Sequence, residues 1–341
     1  MLREAGPTER KLGDTPVSPP HQPARAFMLY LLADDMAQRL RISSVEYLNT
    51  APLVWGFTEG PLQGKYDISF TVPSQCAEAL RNGDADVAII PAVEYQRIDN
   101  LVALPGMSIA AAGEVRSILL VAKKPVELAK RIALDSSSRS SAALVRILAK
   151  EKWHIDPEFV EAAPEPSEML QSADAALVIG DPALRISLKM EALAGKSPRG
   201  ETCCQGDASE MPVPGFETLF VYDVAYQWRE LTGKPCVLAI WSGRPEWMTP
   251  EVVGDFQSSL RYGMERIGEI AEAASIQLDM PPKALERYLT ENIHYGLEAD
   301  FLAGLELYYQ KCAGVGAIPR AKPLQFAAAR ATPSEGARAG R

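Results

Sequence analysis

Three short segments carry side chains able to hold an anion and act on it. The first is Tyr47-Leu48-Asn49-Thr50-Ala51-Pro52. Asn49 offers both a donor and an acceptor, and Thr50 adds a hydroxyl. Pro52 suits the first turn of a following helix. The same residues make an ordinary helix N-cap, and the motif alone leaves both readings open. The second segment is Arg116-Ser117, where a fixed guanidinium can pair with a carboxylate through two parallel hydrogen bonds. The third is Asp135-Ser136-Ser137-Ser138-Arg139-Ser140-Ser141, which opens a long helical pattern. Hydroxyls, a guanidinium and free backbone N–H groups converge there at a positive helix end, a ready anion site. Five serines are more than one cap requires.

Other candidates have fuller structural explanations. Glu94, in Pro91-Ala92-Val93-Glu94-Tyr95, is an acid in a helix's first turn, where the dipole favours it. Asp181, in Gly180-Asp181-Pro182, reads as an N-cap followed by Pro at the first helical position; a ligand contact is the alternative. Asp223 likewise caps the helix that carries Trp228. The chain has three histidines: His21, His154 and His294. No His-x-x-x-His, His-Glu-x-x-His or Gly-x-Ser-x-Gly occurs, which argues against a metal site or a Ser-His-Asp hydrolase. No Walker A loop or Gly-x-Gly-x-x-Gly offers a nucleotide its cradle.

The elements that must position these groups alternate. Strands are expected at 41–46, 66–71, 87–90, 117–122, 131–134, 175–179, 218–222 and 237–241. Helices are expected at 74–82, 138–152, 167–172, 181–188, 223–232, 250–273, 282–291 and 298–312. Alternation of this kind implies open, mostly parallel sheets covered by helices. Ligands of such sheets bind beyond the carboxyl ends of strands, and the candidates above follow strand ends, apart from Arg116-Ser117 at the start of the fourth strand.

The net charge of −9 argues against a nucleic-acid partner. An anionic ligand must then be met locally rather than by the overall field. Five cysteines without a Cys-x-x-Cys spacing argue against a disulfide framework or a zinc knuckle. Cys203-Cys204 reads as two free thiols on a loop. No apolar run reaches the roughly 18 residues of a membrane span. The apolar stretch Ala26–Ala33 has the length of a signal peptide's core. The acids Asp34 and Asp35 follow it at once and a Pro-rich tract precedes it, so residues 1–40 read as a disordered extension. Residues 321–341 read as a disordered tail.

Taken in order, these motifs resemble the chorismate dehydratase family of the futalosine route to menaquinone. The resemblance rests on Tyr47–Pro52, Gly83–Tyr95, Val115–Leu120, Ser136–Ser141, Gly180–Leu184, Tyr222-Asp223 through Trp228, Thr232–Pro235, Trp241 and the run Tyr288–Tyr309. It covers about residues 41–318. Two stretches depart from the pattern: Ser108–Gly113, which is less polar than in relatives, and Gly195–Met211, which looks like an insertion.

The resemblance implies an α/β, two-lobed fold of the periplasmic-binding-protein type (type II), with a ligand cleft between lobes. Lobe one would comprise residues 41–115 plus 235–320, and lobe two residues 116–234. The implied activity is a lyase reaction, dehydration of chorismate to 3-[(1-carboxyvinyl)oxy]benzoate, with no metal or other cofactor. Asn49 would be the catalytic residue, orienting and polarising rather than acting as base. The substrate's own side-chain carboxylate or a bound water would accept the proton. Substrate contacts are expected from Tyr47, Thr50, Pro91, Arg116, Ser117, Ser138, Arg139, Ser140 and Asp181. The expected partner is a small dianionic molecule, not nucleic acid or membrane, and the expected protein is a cytoplasmic monomer or weak homodimer. Two alternatives share the fold: a small-anion solute-binding protein, and 1,4-dihydroxy-6-naphthoate synthase, which should carry a histidine in the cleft.

Overall fold

A computed structural model describes residues 39–194, 199–205 and 218–328. Residues 1–38, which hold nearly all of the expected extension, lie outside the described residues, as do residues 195–198 and 206–211 of the expected insertion, residues 212–217, and residues 329–341 of the expected tail.

Two sheets organise the described residues. The first contains β1 (Arg41–Val45), β2 (Asp67–Thr71), β3 (Val87–Pro91), β4 (Val102–Ala111) and β11 (Cys236–Gly243), in the order β2-β1-β3-β11-β4. The second contains β5 (Ile118–Ala122), β6 (Arg131–Asp135), β7 (Glu158–Ala162), β8 (Ala175–Ile179), β9 (Arg199–Gln205) and β10 (Thr218–Asp223), in the order β7-β6-β8-β5-β10-β9. The chain leaves the first sheet after β4 and returns to it with β11. Strands β3, β5 and β8 are buried along their whole length, as expected of apolar runs covered on both faces.

The sheets are mixed rather than mostly parallel. β1 pairs in parallel with β2 and β3, and β6 with β7 and β8. β11 runs antiparallel to β3 and β4, and β5 runs antiparallel to β8 and β10. β5 and β11 are the first strands after each crossing, and each enters its new sheet from the opposite end. This reversal brings the start of β5 to the end of β8, with Ile118 opposite Ile179. It also sets Ala239 of β11 opposite Pro91 at the end of β3. Strand ends and strand beginnings therefore share one edge in each sheet.

The helix Ala51–Thr58, which follows the Asn49 turn, is held against the helix Pro250–Met264. Ser259 Oγ accepts from Gly56 N at 3.1 Å and donates to Leu53 O at 2.8 Å. A Cβ on Gly56 would lie 2.5 Å from Ser259 Cα, so only glycine permits this approach. Behind them, Phe256 meets Phe57 and Trp241 edge to face.

Several expectations need correction. Strands β4, β7 and β9 are not among the expected ones. The single helix expected over 250–273 is two, Pro250–Met264 and Ile267–Leu278, broken at Glu265-Arg266. Cys203 and Cys204 lie on β9, paired with β10, and not on a loop. Residues 321–328 are docked rather than disordered. Ala103 N donates to Gln325 O and Ala327 N to Ala103 O, while Gln325 N donates to the Tyr95 hydroxyl.

Candidate functional site

Where the two sheets present these edges to each other lies a cavity enclosing about 510 Å³ of space, part of it open to solvent. Its polar lining comes from Tyr47, Asn49, Thr50, Ser117, Ser138, Ser140 and Ser141, and its apolar wall includes Ile89, Pro91, Ile109, Ile118, Ile179 and Leu238. Seven of the ten expected contacts therefore converge: Tyr47, Asn49, Thr50, Pro91, Ser117, Ser138 and Ser140. Among the described residues, no Asp, Glu, Lys, Arg or His lines it.

Asn49 sits in a 3-10 turn, Leu48–Thr50, just beyond β1. The N-cap of the following helix is Thr50, and it makes no side-chain capping bond. The capping explanation of Asn49 is thereby removed. Its Oδ1 accepts from the Thr50 hydroxyl at 3.2 Å. Tyr47 lies against Gly180, where φ is +67° and a Cβ would approach the tyrosine ring to 2.7 Å. Gly180 is thus required both by its backbone and by the ring beside it. Burial pushes the Tyr47 hydroxyl up to about 12, against the opposing effect of its hydrogen bond with Ser137. It stays protonated at neutral pH and is present as a neutral hydroxyl, able to donate or accept.

The serines stand at the N-terminus of the helix Arg139–Glu151. Ser138 occupies the cap position, but its Oγ donates to Ser141 Oγ at 2.7 Å instead of capping the helix. Ser140 Oγ accepts from Val93 N at 3.2 Å, tying this helix to the short helix Ala92–Arg97 that follows β3. Asp135 accepts from the Ser137 amide at 2.8 Å and hydroxyl at 2.6 Å, which closes the turn. The helix end keeps its positive pole toward the cavity.

The charged candidates are elsewhere. Arg139 pairs with Glu78 at 2.7 Å and with Glu94 at 3.1 Å. Arg116 is buried; its guanidinium donates to Ser187 Oγ at 3.0 Å and pairs with Glu191 at 2.6 Å. Neither lines the cavity, because each has a carboxylate from a distant part of the chain. Asp181 accepts from Leu48 N at 3.1 Å and borders a separate groove beside Trp55 and Phe70. Burial pushes its carboxyl up to about 6. Asp223, the cap of the helix Val224–Thr232, is fully buried and pushed up to about 7 by desolvation, while accepting from the Tyr226 and Arg116 amides.

Sequence reasoning missed Tyr288. Its buried hydroxyl donates to Ser117 Oγ at 2.8 Å. The run Tyr288–Tyr309 supports the family resemblance, but nothing in it marks this residue for the site. His154 and His294 do not line the cavity; His294 stacks on Phe301 and bonds Glu298. Among the described residues no group of His, Cys, Asp and Glu is arranged to hold a metal, and no helix is long and apolar enough to cross a membrane.

Two mixed sheets with a cleft of neutral donors between them define a class, the two-lobed fold of the periplasmic binding proteins. A protein from Archaeoglobus fulgidus is 17% identical with a TM-score of 0.59, over 83% of this chain and 99% of that one. The alkanesulfonate-binding protein of Xanthomonas axonopodis pv. citri, bound to MOPS, is 16% identical with a TM-score of 0.54, over 83% and 95%. These likenesses carry the fold. The family comes from sequence: a menaquinone biosynthesis family model matches residues 40–314. The chorismate dehydratase of Thermus thermophilus is 30% identical over 264 residues, 77% of this chain and 91% of that protein. The chain belongs to the menaquinone biosynthesis family.

Proposed function

We propose that this protein is a carbon–oxygen lyase that dehydrates chorismate to 3-[(1-carboxyvinyl)oxy]benzoate in the cavity around Asn49. The observation that carries the reading is the convergence of Asn49, Thr50, Ser117 and the serine-lined helix end in one cavity without a charged side chain among the described residues. The reaction asks for little more. The C3 proton leaves, the C4–O bond breaks, water departs and the ring becomes aromatic. The enzyme must hold a dianion in one pose and keep bulk water out.

In this reading the Ser138, Ser140 and Ser141 hydroxyls and the pole of the helix Arg139–Glu151 receive a carboxylate. Ile89, Ile109, Ile118, Ile179 and Leu238 pack the ring. Asn49 and Ser117 orient the reacting carbons. The cavity's protein groups are poor bases, so the substrate's own side-chain carboxylate or a bound water takes the proton. The lobes are residues 41–115 plus 235–320 and residues 116–234, which divides the chain at the two passages between sheets. The setting we infer is the cytoplasm, with the protein as a monomer or weak homodimer.

Incubation with chorismate, followed by chromatography, tests the assignment. The expected result is loss of chorismate matched by one aromatic product. Saturable binding of chorismate without turnover would assign a solute-binding role instead.

A further inference from the structure

The turn that carries Asn49 depends on a residue far away in the chain. Leu48–Thr50 is a single 3-10 turn, and its cap residue, Tyr47, makes no side-chain capping bond. Such turns are short and their hydrogen bonds poorly aligned. The first amide, Leu48 N, has no partner inside the turn. Its acceptor is Asp181 Oδ1 at 3.1 Å, 133 residues further along the chain. Asp181 does for this turn what a local Ser, Asp or Asn does for most helices.

The dipeptide Gly180-Asp181 reaches both polar walls of the cavity. Gly180 N donates to Ser117 O at 2.8 Å, at the edge where β8 ends and β5 begins. Gly180 has φ +67°, and a Cβ there would meet the Tyr47 ring at 2.7 Å. Asp181 follows in the first turn of the helix Gly180–Ala194, with its carboxyl on Leu48 N. Behind Asn49, the chain runs into the helix Ala51–Thr58, which the bonds of Ser259 to Gly56 and Leu53 hold in place. The turn is thus gripped from both sides, by a helix of its own sheet and by the residue that follows β8 of the other. Asp181 does not line the cavity, so it reaches the substrate only through the turn it holds.

We propose that Asp181 is a positioning residue that holds the Leu48–Thr50 turn, and with it the Asn49 side chain, in register with Ser117 across the cavity. This rests on the assignment of Asn49 to the reaction. Asp181→Ala removes the acceptor. The expected result is a fall in kcat on the order of ten- to a hundredfold with KM within about threefold, because misplacement costs most at the transition state. Asp181→Leu fills the space without an acceptor and should behave as Asp181→Ala does. Asp181→Asn keeps an acceptor for Leu48 N and should hold kcat within about threefold of wild type. A merely structural role would instead lower the melting temperature of Asp181→Ala and leave kcat of the folded fraction unchanged. In the double variant Asn49→Ala/Asp181→Ala, kcat should match Asn49→Ala alone, since the aspartate acts through the asparagine.

A readout independent of turnover is the Leu48 backbone amide resonance in protein labelled with 15N-leucine, assigned through Leu48→Met. It should move in Asp181→Ala, where the hydrogen bond is lost, and keep most of its wild-type shift in Asp181→Asn. A wild-type chain inert toward chorismate would overturn the reaction assignment and the role of Asp181 with it. In an active wild type, undiminished kcat in Asp181→Ala, equal kcat losses in Asp181→Ala and Asp181→Asn, or a Leu48 resonance unmoved by Asp181→Ala would overturn the role of Asp181 alone.

Discussion

The first turn of the helix Arg139–Glu151 has two faces that treat charge in opposite ways. On one, Ser138, Ser140 and Ser141 line the cavity as neutral hydroxyls. On the other, Arg139 joins Arg81 and Arg97 around the fully buried carboxylate of Glu94, with Glu78 alongside. The difference lies in what each group costs when left alone. A buried charge without a partner is expensive, so full charges are matched within the protein. A hydroxyl at a helix end loses less when its ligand departs and still gains the helix pole when a carboxylate arrives. Arg116 follows the arginine face, not the serine face. Arg116 and Arg139 are paired within the walls, and the neutral donors line the cavity.

The sharpest way to break the contrast is at Asn49, the neutral group that our proposal sets at the reacting carbons. Asn49→Ala should lower kcat by about a hundredfold or more, with the melting temperature nearly intact, since the side chain caps no helix. Asn49→Asp should also lose turnover, because a carboxylate there repels a dianion. Full activity in a stable Asn49→Asp protein would remove the residue from the mechanism.

On the charged face the expected effect is on stability. Glu94→Gln leaves three guanidiniums without their shared carboxylate and should cost about 2–3 kcal/mol in denaturant unfolding. KM of the folded fraction should be unchanged. A raised KM with unchanged stability would mean the network reaches the ligand.

The two faces can then be compared within one turn. Ser138→Ala should raise KM about threefold to tenfold, with Ser141 partly compensating. Arg139→Ala should lower stability and leave KM alone. The reverse pattern would restore the arginine as the anchor.

The smallest expected effect concerns Asp181. Its carboxyl is raised to about 6 in the folded protein, so the fold favours the protonated form. Stability from this group is present below the unfolded value near 4 and is lost as pH rises through about 6. Asp181→Asn keeps an acceptor for Leu48 N and removes the titration. It should raise the melting temperature by about 2–4 °C at pH 8 and not at pH 4. An equal change at both pH values would show that burial of the charge is not the cause.

The contrast also explains what the sequence made legible. Asn49, Ser117 and the serines were recoverable because a recognisable strand precedes or follows each, and ligands gather at strand ends. The fate of Arg116 and Arg139 was not, because their counter-ions lie 75 and 45 residues away and only folding brings them in. β4 was hidden by Pro105 and by Gly106 at φ +71°, and β7 by its charged ends, Glu158 and Glu161. β9 is an edge strand without an apolar run. Tyr288 could not be singled out, since a buried aromatic at the end of a helix is ordinary core until its hydroxyl is seen to bond Ser117.

The most direct measurement is a crystal structure with 3-[(1-carboxyvinyl)oxy]benzoate bound. A ligand carboxylate should lie on the Ser138, Ser140 and Ser141 hydroxyls, the ring against Ile109 and Ile179, and Asn49 at the carbons that react. Arg139 should remain on Glu78 and Glu94, and Arg116 on Glu191. A ligand held by either guanidinium, released from its glutamates, would contradict this arrangement.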